Sequence, residues 1–551
     1  MVASQRAGAG ASRTWILVVA GVALLAALLW FVPGPWSPAL RGWSGDEVGP
    51  EVEAILAADK LPDELAKVDL DRRGLHIFYR AHGHQPLWIG RNGVRSEARL
   101  LLDKLKAADA EGLNPADYHV EAIEKAMRQA QRGSAERPAI LELMLSQAYA
   151  DYARDLRQGR ISGRAIYEEA RMAPPVMTTA STLDDAADAS SLKGHIEGLN
   201  KLNFIYAGLR DALAKLREQK AAAQIKVPDG EALKPGDRDP RVATLRQRLG
   251  VPASPTPDVY DAPVVQAVQA FQRSKGLKAD GILGKGTLAY LNAKPDNQEA
   301  VIIANMERAR WLPADLGDKF LLADTAGFVL RMYEDDRQSG IMRVVVGEND
   351  KRTPSMVERM EYIEVNPYWN VPQSILEAEI APGVLANGPG YLASRNMEVV
   401  MGYGDDAYVL DPSEVDWQAA AGGAASFRVR QRPGGNNSLG RLKFMFPNKE
   451  DIYFHDTPAD HLFAKELRTF SHGCVRLERP FELAKWVLKG NTARVEQALA
   501  SGETVQIPLS KKLPVYIAYF TAWPKGDGTV EYRPDVYGRD REMIGRLRPN
   551  A

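Results

Sequence analysis

The residues whose types and spacing could support catalysis lie around Cys474, the only cysteine in the chain. Only a thiolate attacks as a nucleophile, and a free thiol titrates at about 8.5, so a catalytic cysteine needs an imidazole to take its proton. His472 stands two positions before Cys474, and His455 lies upstream at the end of a predicted strand. Gly473 allows the tight backbone that aims amide N–H groups at an oxyanion. This spacing predicts a cysteine nucleophile with a histidine as its general base.

Two other interpretations of these residues stay open at this point. A lone cysteine is often a small buried hydrophobe, beside histidines that make local hydrogen bonds. A metal site built from His455, His461, His472 and Cys474 is the other interpretation. It is weak, because His-x-Cys places two ligands closer than the usual pair spacing. We therefore expect no metal and no cofactor.

The composition excludes several classes of protein. The 551 residues include 70 basic and 71 acidic side chains, a net charge of −1, which gives no basic surface for nucleic acid. With 45% hydrophobic and 26% charged residues the chain is an ordinary globular protein of several domains. A single cysteine excludes an intrachain disulfide and a structural zinc site made of cysteines.

The N-terminus carries a long apolar segment, Trp15–Val32, without a charged side chain. Its length is about the minimum for a membrane-spanning helix. Arg6 and Arg13 precede it, so the positive-inside rule predicts a cytoplasmic N-terminus and an exported remainder. We expect residues 1–32 to form an uncleaved anchor, followed by a linker at 33–50. A cleaved signal peptide is the alternative, although no A-x-A-like site follows.

The rest of the sequence predicts an α+β protein of several domains. Helical periodicity dominates residues 51–235, apart from an expected long loop at 172–192. Residues 236–293 form a compact unit of three short helices, and residues 294–551 are mostly strand. Within this last part, residues 373–425 are rich in Gly and Ala with little strand pattern, which favours an insertion.

The three-helix unit resembles the small peptidoglycan-binding domain family. The resemblance is carried by Ala267–Gln272 (AVQAFQ), the pair Gly276-Leu277, the turn Asp280-Gly281-Ile282 and Thr287 at the head of the last helix. A Pro-rich loop departs from the family pattern between the first two helices. The resemblance implies binding to glycan strands or stem peptides.

The segment around the cysteine resembles the signature of the L,D-transpeptidase catalytic family. That signature is a histidine followed at a fixed interval by SHGC and Arg, here His455 and then Ser471–Arg476. The wider frame agrees, and helical segments upstream resemble the scaffold domain of the large, membrane-anchored members. The supporting segments are Arg352-Thr353-Pro354, Asn366–Pro372, Val515–Trp523, Tyr537–Asp540, Phe78-Tyr79, Gln85–Trp88 and Tyr152–Gly159.

The resemblance implies a role for each residue of the signature. Cys474 is the nucleophile and His455 the general base, while His472 supports the loop and the electrostatics of the cysteine. Backbone N–H groups around Gly473 and Cys474, with Tyr453 nearby, form the oxyanion site.

Further roles follow from the same resemblance. Arg476 holds the loop or a substrate carboxylate, with a structural ion pair as the alternative, and Ser471 is expected to bind substrate. The insertion corresponds to a capping subdomain over the cleft. Its aromatic residues, Tyr391, Tyr403 and Trp417, could equally form a small core of their own.

The implied protein is a periplasmic L,D-transpeptidase held in the inner membrane by one helix. It makes 3→3 cross-links through a cysteine thioester, is acylated by carbapenems, and works on stem peptides and glycan strands beside partner proteins of cell-wall synthesis. Attachment of a protein to the wall and exchange of the terminal D-amino acid use the same chemistry. Hydrolysis of the thioester by water would instead make a carboxypeptidase or endopeptidase. A non-catalytic wall-binding protein is the hypothesis from a different class.

Overall fold

A computed structural model describes residues 45–130, 134–167, 170–172, 174, 176–223, 225–274, 278–292, 297–335, 337–402 and 407–547. The predicted anchor at 1–32, most of the linker, the Gly276-Leu277 pair and Tyr403 lie outside them. In the part of the chain that is described, no helix is both long enough and apolar enough to cross a membrane.

Helices dominate the first part of the chain. They are α1 (Gly45–Ala57), α2 (Arg72–Ala81), α3 (Ser96–Lys106), α4 (Val120–Gln129), α5 (Glu136–Arg157), α6 (Gly163–Ile166), α7 (Thr179–Ala187), α8 (Leu192–Gly198) and α9 (Phe204–Ala223). A short hairpin pairs β1 (Ile89–Gly90) with β2 (Gly93–Val94).

Two local expectations for this part were wrong. The linker predicted at 33–50 is already helical from Gly45, because Val48 and Val52, one helical turn apart, are both fully buried. The loop predicted at 172–192 contains α7, which begins with a capping box between Thr178 and Ser181. Each of these two side chains accepts a hydrogen bond from the other's backbone N–H, so the helix starts within a Ser/Thr-rich stretch.

The described chain divides into two compact units. The first comprises the described part of Met1–Arg99 together with Glu121–Gln147. Its centre is Glu142, a fully buried carboxylate that accepts hydrogen bonds from the Tyr79 hydroxyl and from the backbone N–H groups of residues 87–89. The indole N–H of Trp88 donates to Ser146 at 2.9 Å. These bonds satisfy the polar groups of an otherwise apolar interior.

The second unit comprises Leu100–Val120 and the described part of Ala148–Ala551. It includes α10 (Arg241–Leu249), α11 (Ala262–Ser274) and α12 (Lys285–Asn292), which surround a small core of Val242, Leu245, Val264 and Val268. The side chain of Gln272 bonds to both ends of the turn at residues 280–282 and to Thr287. That buried amide explains why a glutamine stands at the end of the AVQAFQ helix.

A mixed sheet of nine strands forms the rest of this unit. The strands are β3 (Lys319–Asp324), β4 (Val329–Glu334), β5 (Arg337–Gly347), β6 (Met356–Val365), β11 (Leu442–Met445), β12 (Phe454–His455), β13 (Thr469–Ser471), β14 (Val475–Leu477) and β15 (Val505–Ala518). They run in the order β13-β5-β14-β12-β11-β6-β15-β3-β4, and β4 also pairs with β5, so the sheet closes on itself.

Apolar cores lie on both sides of this sheet. One core contains Phe444, Phe454 and Val475 together with residues of α18 (Pro480–Val487) and α19 (Ala493–Ser501). The other lies where β3, β4 and β15 meet α9, α13 (Gln298–Arg310) and α20 (Arg539–Leu547). The hairpin of β16 (Ala522–Pro524) and β17 (Val530–Tyr532) follows β15.

The predicted insertion at 373–425 lies within a part of the chain that has a separate sheet and a core of its own, although its sequence shows little strand pattern. Its strands, β7 (Trp369–Asn370), β8 (Met397–Met401), β9 (Tyr408–Leu410) and β10 (Arg428–Gln431), run in the order β7-β10-β8-β9. Its helices are α14 (Gln373–Ile375), which continues as a π-helical turn (Leu376–Ile380), α15 (Ala381–Asn387), α16 (Gly390–Ser394) and α17 (Trp417–Ala421). We call residues 369–431 the cap.

Candidate functional site

The site is built on two short strands that lie side by side. In the parallel pairing of β12 with β14, Phe454 lies beside Val475 and His455 beside Arg476. Successive side chains of a strand point to opposite faces. Phe454 and Val475 enter the core, so His455 and Arg476 lie on the other face, which also carries Tyr453 and Cys474.

The loop before β14 is held by hydroxyl groups. Ser471 Oγ donates to the carbonyl of Cys474 at 2.5 Å and accepts from the Gly473 N–H at 3.2 Å. Thr353 Oγ1 donates to the Gly473 carbonyl at 2.7 Å and accepts from the Gly347 N–H. Gly473 has a φ of 116°, a conformation that L side chains rarely adopt, which explains the glycine of the motif.

These bonds change the expected role of two residues. Ser471 is 1% exposed and its hydroxyl is used within the loop, so it does not lie where a substrate would reach it. The Gly473 N–H points to Ser471 rather than into a cleft, which leaves the oxyanion site to other donors. The role of Thr353 was not predicted from the sequence. The one signal of this role in the sequence was the position of Thr353 after the Val-Val-Gly end of a strand.

The thiol of Cys474 is partly exposed and donates to the carbonyl of Asp451 at 3.6 Å. Burial of the sulfur raises the pKa of Cys474 to about 11, against hydrogen bonds from Tyr453 and the positive charge of Lys443. The resting thiol is therefore protonated at neutral pH, and catalysis requires a base.

His455 is suited to that task by its protonation state. The side chain is 5% exposed, and its Nδ1 lies 2.5 Å from the carbonyl oxygen of Asp456. A carbonyl only accepts, so Nδ1 carries the proton and Nε2 keeps a free lone pair. Burial, with the charge of Arg476 next, lowers the pKa of His455 to about 3. The imidazole is therefore neutral at physiological pH and able to accept a proton.

The structure does not join His455 directly to the thiol of Cys474. The Cys474 thiol makes its hydrogen bond to Asp451, and the described contacts include none between the thiol and the His455 ring. Rotation of the thiol away from Asp451 is needed before His455 can take its proton. Such contacts often tighten only when substrate binds.

Two predicted residues lie at the edges of the site. His472 Nε2 donates to Glu379 Oε1 of the cap at 2.7 Å. Arg476 is partly buried, and its Nε is shielded from solvent without a hydrogen-bond partner. Burial lowers the pKa of Arg476. The charge of Glu348 acts on this pKa in the opposite direction, so a structural ion pair stays open as the alternative role of Arg476.

The row of charged side chains that lies beside the site was not predicted from the sequence. Lys443 on β11 pairs in register with His455 on one side and with Glu364 of β6 on the other. Its ammonium lies 4.2 Å from the centroid of the Tyr453 ring. The alternation in LKFM, with Leu442 and Phe444 in the core, was the signal that Lys443 lies on the same face as Cys474.

The remaining predicted site residues lie apart. In the described part of the chain, no group of three or more His, Cys, Asp or Glu side chains is placed to hold a metal ion, and His461 is exposed on a short helical turn. In the cap, Trp417 is 8% exposed and packs edge-on against Phe427 at 5.1 Å. Tyr391 packs against the same core, so both serve the cap's own interior.

Known families match three parts of this chain. The "Scaffold domain" matches residues 73–213, the "Putative peptidoglycan binding domain" residues 239–291, and the "L,D-transpeptidase catalytic domain" residues 318–507. The last range contains every residue of the site described above. The chain is thus a multidomain α+β protein with a helical N-terminal part and a mostly-β L,D-transpeptidase catalytic domain.

Individual proteins similar to this chain include a curated relative and two solved structures. A Haemophilus influenzae protein named "Putative L,D-transpeptidase" is 33% identical over 254 residues, 46% of this chain. The match spans only 50% of that relative's length.

Both solved structures are distant. An L,D-transpeptidase of Xylanimonas cellulosilytica is 16% identical over 53% of this chain and 98% of its own, with a TM-score of 0.17. A fused Zn-dependent amidase/peptidase/peptidoglycan-binding domain-containing protein of Clostridium acetobutylicum is 11% identical over 52% and 100%, with a TM-score of 0.14. At such TM-scores neither likeness bears on the fold.

Proposed function

Because this chain carries an L,D-transpeptidase catalytic domain beside scaffold and peptidoglycan-binding domains, we propose that it makes 3→3 cross-links in peptidoglycan through a thioester on Cys474. The observation that carries the proposal is the placement of a partly exposed thiol and a neutral, buried imidazole on one face of two paired strands. A neutral imidazole beside a protonated thiol is the arrangement that general-base activation requires.

The first half-reaction forms the thioester. His455 Nε2 takes the thiol proton as the sulfur attacks the carbonyl at the L-centre of the third residue in a tetrapeptide stem. The C–S bond forms, the C–N bond breaks, and the imidazolium returns the proton to the amine of the departing D-alanine. Tyr453 and the Cys474 amide serve as the oxyanion donors in this proposal, because the Gly473 N–H is already bonded to Ser471.

The second half-reaction makes the cross-link. A side-chain amine from a neighbouring stem attacks the thioester carbonyl, forming a C–N bond and releasing the thiolate, which regains a proton through His455. Arg476 lies on the same face, and its Nε is without a hydrogen-bond partner among the described residues, so it can bind a substrate carboxylate. The peptidoglycan-binding domain raises the local concentration of strands around the site.

The location of the enzyme is part of this proposal. The apolar segment Trp15–Val32 and the arginines that precede it support a single-pass anchor in the inner membrane, with the catalytic domain in the periplasm. A chain without a second cysteine cannot form an incorrect internal disulfide in that oxidising compartment.

Acylation and product analysis test the proposal. A carbapenem should add its mass to the wild-type chain and leave the Cys474→Ala variant unmodified, with His461→Gln as a control on an exposed histidine outside the site. Sacculi treated with the wild-type chain should gain 3→3 cross-linked muropeptides, and Cys474→Ala should produce none. Cross-links formed by Cys474→Ala would refute the mechanism, whereas only shortened stems with an acceptor amine present would favour hydrolysis.

A further inference from the structure

The catalytic loop makes a hydrogen bond to the cap. His472 Nε2 donates to Glu379 Oε1 at 2.7 Å, and Glu379 belongs to the π-helical turn of the cap. The two residues are 93 positions apart in the chain. A carboxylate only accepts, so the contact also fixes the proton of His472 on Nε2.

The π-helical turn is a local consequence of the sequence. Pro382, in the first turn of α15, has no N–H to donate to the carbonyl of Ala378 and its ring crowds that carbonyl. The chain widens to a π-turn over residues 376–380, which rotates the side chains there away from the positions of a regular α-helix. Glu379 is half exposed, outside the cap's own core, and directed at the catalytic loop.

The imidazole of His472 is the one part of the loop that the sheet does not hold. Ser471 and Thr353 fix the backbone on both sides of Gly473, as described above. The His472 side chain, 30% exposed, has Glu379 as its hydrogen-bond partner among the described contacts. The cap therefore sets the position of a ring that stands two residues before the nucleophile.

We infer that Glu379 is a positioning residue that latches the cap onto the catalytic loop through His472 and thereby keeps water from the acyl-enzyme. This inference rests on the proposed function and adds a determinant of its product. A thioester can be resolved by an acceptor amine or by water, and a site that stays covered between the two half-reactions favours the amine. Release of the latch exposes the thioester and shifts the outcome toward hydrolysis.

The test measures the ratio of cross-linked to hydrolysed product for the full-length chain acting on tetrapeptide muropeptides. Glu379→Gln keeps the shape and removes the charge, and we expect the ratio to fall about three- to fivefold, the effect of weakening one half-exposed hydrogen bond. Glu377→Gln makes the same change two residues earlier on the same π-turn, without a contact to the loop, and should leave the ratio unchanged. The carbapenem acylation rate of Cys474 should be the same in both variants.

A double-mutant cycle separates the latch from a general loss of stability. In a His472→Gln background, Glu379→Gln should have no further effect on the ratio, because its partner is already gone. An unchanged ratio in Glu379→Gln, an equal fall in Glu377→Gln, or a full additional fall in the His472→Gln background would each overturn the inference. Failure of carbapenem to acylate the wild-type chain would instead overturn the proposed function, and the inference with it.

Discussion

Alkylation of Cys474 tests the electrostatic description of the site most directly. Burial holds the pKa of the thiol at about 11, and among the described contacts the thiol donates to the carbonyl of Asp451 rather than to an imidazole. A thiolate–imidazolium pair would instead require a depressed thiol pKa and a charged His455. The chain has one cysteine, so a thiol reagent reports on this residue alone.

The size of the effect follows from the shift in pKa. At about pH 7, a thiol of pKa 9.0 is about 1% ionised, and one of pKa about 11 is about 0.01% ionised. A more basic thiolate is more nucleophilic, with a Brønsted slope of about 0.4–0.5, which recovers about tenfold of that hundredfold difference. We therefore expect Cys474 to react with iodoacetamide about tenfold more slowly than an unperturbed thiol of pKa 9.0 at the same pH.

The assay follows the intact mass of the chain over time between about pH 6 and 10. The rate should rise about tenfold per pH unit without a plateau below about pH 10. Lys443→Met removes a charge that stabilises the thiolate and should slow the reaction, while Lys449→Met, an exposed lysine of the following loop, should not. A plateau between about pH 6 and 8 would show a populated thiolate and refute the neutral-pair description.

Three further outcomes follow from the contacts described above. In ¹³C-histidine NMR, the His455 ring should not titrate between about pH 8 and 5. The pKa of His455 in the folded chain is about 3, below the ordinary value of 6.5. The stability of the chain relative to His455→Gln should therefore fall as the pH drops from 6.5 toward about 3. Thr353→Val leaves the buried Gly473 carbonyl without its donor and should lower the free energy of unfolding by about 1–3 kcal/mol in urea titrations, with a matching loss of acylation rate. Glu142→Leu leaves buried backbone N–H groups unpaired and should lower the free energy of unfolding by at least about 3 kcal/mol. Tryptophan fluorescence during denaturation measures this change, and a decrease below about 1 kcal/mol would contradict the role given to these hydrogen bonds.

Strand alternation was present in the sequence around the site but was not used to predict it. It separates the residues of β11, β12 and β14 that enter the core from those beside Cys474, since neighbouring side chains of a strand take opposite faces. The strands of the cap were harder to predict from the sequence. Its strands are only two to five residues long, too short for a two-residue period to stand out from Gly- and Ala-rich sequence. The start of α7 was missed because Ser and Thr serve turns as well as caps.

The sequence by itself determined which groups are present for catalysis: one thiol, nearby histidines and a glycine whose position requires a positive φ. Only the tertiary structure decided how those groups are used. The bond from Thr353 to Gly473 and that from Glu379 to His472 join residues 120 and 93 positions apart. The protonation states of Cys474 and His455 depend on burial by strands and loops distant in the chain. Residue type and local spacing carry no record of desolvation or of long-range contact, and in this site those two effects decide which group holds the proton.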